Sequence, residues 1–138
     1  MYPAYPVNLS MAISPGDSMS AEVSVSGSTA TLTITDVTTG ASFTTQQIVS
    51  GDALSSAEWV AEAPSGCNGF RCTVLPLANF GKVNFSGSYT TGNGHTGTIS
   101  DTTWTNDQII MVTNSGTLKA LPSALTGGNA FSVTWYHQ

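Results

Sequence analysis

Hydrophobic and polar residues alternate along most of this chain with a period of two, and no stretch carries a helical period worth assigning. Residues 21–26 place Val23 and Val25 on one face, and Ala30, Leu32 and Ile34 repeat the pattern. Thr38, Thr39 and Gly40 form a turn leading to Phe43. Residues 56–62, 73–77, 82–86, 109–113 and 131–136 continue the series, divided by turns rich in Gly, Pro, Asn and Ser. Strand-like segments recurring every 8–12 residues or so predict an all-β protein, an antiparallel sandwich or barrel. At ~5–6 residues per strand, about nine to eleven strands fit in this length. No linker, charge block or repeat interrupts the pattern, so residues 1–138 are expected to form a single domain.

Composition narrows the class. Of 138 residues, 40% are hydrophobic, enough for one core, while only 8% are charged, with a formal net charge of -5. Eighteen Ser and twenty Thr make up more than a quarter of the chain. With Arg71, Lys82 and Lys119 as the fixed cations there is no basic patch, so nucleic acid is excluded as a partner. No apolar run approaches ~18 residues, so no membrane partner is expected. Strand-formers are too plentiful for disorder. Tyr2, Pro3, Tyr5 and Pro6 look like mature protein rather than a cleavable signal. With every carboxylate protonated the chain carries at most about six positive charges, so acid offers little self-repulsion to unfold it. The composition fits an acid-tolerant domain, and equally a neutral secreted domain with a Ser/Thr-rich surface.

Cys67 and Cys72 enclose four residues. Zinc would need two more ligands, and His95 and His137 do not offer metal-ligand spacing. A short disulfide across a hairpin loop is favoured, and with it an oxidising compartment outside the cell. Gly92, Gly94 and Gly97 match a dinucleotide-binding spacing, but neither the following helix nor the distal acid is present, so a Gly-rich hairpin is expected. There is no G-x-S-x-G elbow and no paired-aspartate protease signature. Asn8-Leu9-Ser10 and Asn84-Phe85-Ser86 fit the glycosylation pattern.

The scarce carboxylates carry the chemistry. Asp17, Asp36, Asp52, Asp101 and Asp107 sit in turn-like contexts, where an Asx-turn or solvation accounts for them. Glu22 is expected to face outward from a strand. Glu58 and Glu62 lie in Ala57-Glu58-Trp59-Val60-Ala61-Glu62, where period two puts Glu58, Val60 and Glu62 on one face and Trp59 and Ala61 on the other. Two acids and a valine do not make a core face, so that face opens onto solvent or a groove. In a groove the pair admits two chemistries. Their Cα atoms would stand about 13 Å apart, and converging carboxyls would come within glycosidase range. Alternatively one Glu works alone, as base toward water and then as acid toward a leaving amine.

The same hexapeptide resembles the Ala-Glu-Trp-Ile/Val-x-Glu motif of the glutamic peptidases, the eqolisin family of acid proteases. Tyr2-Pro3 and Ile13-Ser14-Pro15-Gly16-Asp17 are similar to the family's Tyr-Pro and Ile-Ser-x-Gly-Asp sequences. Thr35 to Gly40 looks like its Asn-Leu-Thr-Thr-Gly turn, Ala78 to Phe85 its Ala-Asp-Phe-Gly-x-Val-x-Phe strand, and Ser132-Val133-Thr134 its closing strand. These motifs run in order along the whole chain.

The resemblance implies an antiparallel β-sandwich of the concanavalin A-like kind, with a substrate groove on its concave sheet. It places the catalytic role, general base and then acid, on Glu62. Glu58 aligns with a non-catalytic glutamate and is expected to neighbour the substrate. Cys67 and Cys72 fall where the family has a cysteine-bridged loop. The family's second catalytic residue is a Gln in an Ile/Leu-Gln-x-Gly segment upstream of Tyr-Pro, and no such segment precedes Met1-Tyr2-Pro3. Gln46 and Gln47 fall at the wrong place in the pattern. The chain therefore matches the C-terminal two-thirds of the domain, a sandwich incomplete at its N-terminus. The resemblance implies either a processed chain completed by a separate N-terminal light chain, or a truncated chain or gene fragment. Unpaired sheet edges would then leave it poorly stable alone.

The implied activity is acid endopeptidase action on protein or peptide substrates, secreted, with neither metal nor organic cofactor. The alternative is carbohydrate work on the same architecture. Laminarinase-type glucanases carry Glu-x-Asp-x-Glu, whose spacing Glu58-Val60-Glu62 shares with Val60 in place of the Asp. A lectin-like binder would use Trp59, Trp104 and Trp135 as sugar platforms, although aromatics at such positions are more often core.

Overall fold

Alternation in the first third of the chain produces a three-stranded antiparallel meander. The computed structural model describes residues 8–51, 53–68 and 71–138. Met1, Tyr2, Pro3, Tyr5, Pro6, Asp52, Gly69 and Phe70 thus lie outside the described residues. The chain divides into two units, Met1–Ser55 and Ser56–Gln138. Among the described residues there are eleven strands and no helix, and every strand pairing is antiparallel.

In the first unit β1 (Met19–Ser26), β2 (Thr29–Asp36) and β3 (Ser42–Ile48) pair in sequence order. The register sets Val23 opposite Leu32 and Val25 opposite Ala30, so the apolar alternation of the two strands falls on one face, as expected. The other face of β2 and β3 is a row of hydroxyls and amides: Thr33 meets Thr44 at 3.1 Å, Thr35 meets Ser42 at 3.1 Å, and the Gln46 amide donates to Thr31 at 3.2 Å. Asp36 closes the β2–β3 turn. Its carboxylate accepts the backbone N–H groups of Thr38 and Thr39 and the Thr39 hydroxyl, an Asx-turn by a wholly buried carboxylate. The Thr39 hydroxyl, ahead of the backbone donors, holds that carboxyl below its ordinary range.

The second unit contains two hairpins and a four-stranded sheet. β4 (Ser65–Asn68) pairs with β5 (Arg71–Val74), and β7 (Tyr89–Gly92) with β8 (His95–Thr98). Asn93 and Gly94 join the latter pair with φ of 52° and 76°, the left-handed values that a two-residue I′ hairpin turn demands. This is the Gly-rich hairpin the sequence implied. β6 (Lys82–Phe85), β9 (Met111–Val112), β10 (Leu118–Pro122) and β11 (Phe131–Trp135) form a sheet in the order β6-β11-β10-β9. Its inner face carries Val83, Phe85, Phe131, Val133 and Trp135, which pack with Leu77 and Ala120 into the core of this unit. Phe85 and Phe131 stack with centroids 4.8 Å apart.

Three expected strands come out differently. Residues 73–77 pair as far as Val74, with the Leu75 N–H still bonded to Pro64 O, and Leu77 turns into the core. Residues 109–113 shorten to the two-residue β9, leaving Ile109 exposed. Residues 56–62 join no ladder. Their alternation in burial is present, but no described strand runs beside them to receive their backbone hydrogen bonds.

Candidate functional site

The segment that carries Glu58 and Glu62 is anchored on one side only. Ala61 and Ala63 pack against the core of the second unit and Trp59 is half-buried, while Glu58, Val60 and Glu62 are exposed. The side-chain division matches the expected one: small apolar residues grip the core, and both carboxylates face outward. The Ser56 hydroxyl donates to Glu58 Oε1 at 3.3 Å. Glu62 makes no hydrogen bond or ion pair to any described residue, so both carboxylate oxygens are open to water or to a ligand.

Directly downstream, Cys67 and Cys72 face each other across the β4–β5 pair and are joined by a disulfide. The bridge ties the hairpin beginning three residues after Glu62, and the Leu75–Pro64 bond extends that pairing back toward the glutamate. Among the described residues no three His, Cys, Asp or Glu side chains converge as a metal site would require.

A polar cluster at the β7–β8 hairpin brings together residues that the sequence reading treats separately. His95 Nε2 lies 3.1 Å from Asp101 Oδ2 and 3.2 Å from Thr103 Oγ1, and its ring meets Trp104 edge-on at 5.4 Å. A hydroxyl, an imidazole and a carboxylate in mutual contact invite comparison with a hydrolytic triad. In a triad the acid and the hydroxyl occupy opposite ring nitrogens, so that a proton taken by one is balanced at the other. Here both approach Nε2, and the cluster therefore buttresses a turn. Trp104 adds to it by donating its indole N–H to Thr98 O at 3.0 Å. Trp135 likewise belongs to the core and donates to Leu77 O. The signal for this cluster was the run Asp101-Thr102-Thr103, which announces an Asx-turn but not the histidine that joins it.

The site is thus a pair of exposed glutamates, Glu58 and Glu62, on a segment held to the core through Ala61 and Ala63, with a cysteine-bridged hairpin directly behind it in an antiparallel all-β chain. A sequence model of the peptidase A4 family matches residues 1–135, and the chain belongs to that family. The crystal structure of aspergilloglutamic peptidase from Aspergillus niger superposes with a TM-score of 0.77 at 30% identity, covering 98% of this chain and 76% of that one. The fold is accordingly the glutamic-peptidase β-sandwich. A search among curated proteins found no match.

Proposed function

We propose that this chain is the glutamate-bearing part of a secreted acid endopeptidase, with Glu62 as its catalytic base and acid. The observation that carries the reading is the outward Glu62 carboxylate, without a partner among the described residues, on a segment held to the core through Ala61 and Ala63, within a chain that belongs to the peptidase A4 family. Ionised Glu62 takes a proton from water as the water oxygen bonds to the scissile carbonyl carbon. The carbonyl oxygen becomes an oxyanion, which needs a donor to stabilise it. Protonated Glu62 then passes its proton to the amide nitrogen as the C–N bond breaks, releasing an amine and a new carboxyl group. The oxyanion donor in this reading is a Gln outside the residues of this chain, for which a separate N-terminal light chain is one source. Glu58, on the same open face, neighbours the substrate.

Cleavage of an unfolded protein between about pH 2 and about pH 5, with pepstatin present against contaminating aspartic proteases, tests the role of Glu62. The chain is assayed alone and together with the N-terminal segment of an A4 relative. Glu62→Gln should fold normally and lose most of the activity, at least about 100-fold, since general acid–base groups supply rate factors of that order or more. Cleavage at the wild-type rate by Glu62→Gln would remove the assignment.

A further inference from the structure

The outer face of the four-stranded sheet holds a group of polar side chains that nothing in the fold uses. There, β6, β11 and the connection spanning 123–130 bound an open groove of about 440 Å³. Register places Asn84 opposite Ser132 and Lys82 opposite Thr134, on the side of the sheet away from Val83 and Val133. Lys82, Asn84, Ser86, Thr126 and Ser132 line the groove, and none of these side chains bonds to another described residue. The one ion pair among the described residues joins His95 to Asp101, so Lys82 has no carboxylate partner among them.

Ser132 is the most informative of the five. It is only 9% exposed, and its backbone N–H is taken by Ser123 Oγ at 3.0 Å. Its hydroxyl has no hydrogen-bond partner among the described residues, and the residue lines the groove. Nearly buried hydroxyls are ordinarily bonded to protein or to ordered water, and one that is reachable only from the groove side, beside an ammonium and a carboxamide with no partner among the described residues, is placed to meet a ligand. The Ser123 hydroxyl donates to Ala124 O while accepting from Ser132 N, which holds the groove wall in position.

The donor set defines the ligand. One ammonium, one carboxamide and three hydroxyls supply a single positive charge and several neutral donors, with no arginine. That suits a singly charged carboxylate better than a phosphate, which draws guanidinium forks or several cations. We propose that this groove binds a peptide carboxylate, either an acidic side chain or a C-terminal carboxyl group, with Lys82 as counter-ion and Asn84 and Ser132 as hydrogen-bond donors. That the ligand is a peptide rests on the peptidase reading, since each hydrolysis creates a new C-terminal carboxylate; the anion site rests on the groove alone.

The test is a titration of unglycosylated, nitrogen-15-labelled protein followed by amide chemical shifts, which needs no turnover. Three probes separate the sources: N-acetyl-Ala-Ala-Glu-amide, N-acetyl-Ala-Ala-Ala with a free carboxyl group, and N-acetyl-Ala-Ala-Gln-amide as the neutral control. At up to about 10 mM, where a millimolar site saturates, at least one acidic probe should shift amides at 82–86, 123–126 and 130–132, and the neutral probe should not. Which acidic probe does so identifies the source of the carboxylate. Lys82→Met should weaken that binding by about tenfold or more, the loss expected for a charge-assisted hydrogen bond, and Ser132→Ala should weaken it less. Both variants should leave amide shifts elsewhere unchanged. Equal shifts from the neutral probe, absence of saturable shifts in the groove, or undiminished binding by Lys82→Met would each overturn the proposal. A chain that binds the acidic probe yet stays inactive even with the added N-terminal segment would count against the peptidase reading and not against the site.

Discussion

Asp101 shows how a chain this poor in charge holds an acidic group in service at low pH. Its Oδ1 accepts the Thr103 N–H at 2.8 Å, and its Oδ2 faces His95. The Thr103 backbone and hydroxyl donors, followed by His95, lower its pKa from the ordinary 3.8 to about 2. A carboxyl whose pKa is lower folded than unfolded stabilises the fold above its unfolded value, and that contribution disappears as pH falls through the folded one. Asp101→Asn should therefore be less stable than wild type above about pH 4, with the difference shrinking toward pH 2 and gone below it. Denaturant midpoints measured across that range check the sign, and a difference that grows on acidification would contradict it. Gly97 belongs to the same device, because a Cβ there would collide with the Asp101 carboxylate. Asp36 and Asp101 were legible in the sequence as turn aspartates. The His95 contact was not, since nothing in local spacing reports which side chain a hairpin brings across to a turn.

Among the elements, the glutamate segment and the disulfide hairpin differ in what holds them. Among the described residues, 56–63 pack on the core through Ala61 and Ala63 and join no strand ladder. Their amides should exchange with solvent at least about 100-fold faster than that of Val133 in the core strand β11, because protection follows hydrogen bonding and burial. Hydrogen exchange resolved by residue or by short peptides measures this, and protection equal to that of β11 would show a ladder in solution. The neighbouring hairpin is tied covalently. Replacing Cys67 and Cys72 together by Ser removes closure of a six-residue loop and should cost about 2 kcal/mol in chemical denaturation. Exchange should rise mainly over 65–75, where the bridge acts, and an unchanged denaturation midpoint would refute this.

For the molecule as a whole, the large exposed apolar side chains are the dominant feature. Val23 is 67% exposed on β1, Val74 65% on β5 and Ile109 82% beside β9. Strands with open apolar faces and short, unpaired edges associate with whatever completes them. Light scattering of the chain alone should give a mass above the monomer that rises with concentration; a constant monomer mass would contradict this. Period-two alternation by itself determined the strand-rich class, the face of β1 and β2 that carries apolar residues and the split of Glu58 and Glu62 from Trp59 and Ala61, and turn chemistry marked the aspartates. These are legible because a side chain's preference for water or core is written one residue at a time. Whether residues 56–62 sit in a ladder, which five polar side chains meet over the outer face of the four-stranded sheet, and which nitrogen of His95 receives Asp101 were decided by tertiary structure. Each depends on a partner distant in sequence, and a chain's own alternation records which way a residue faces, not what stands opposite it.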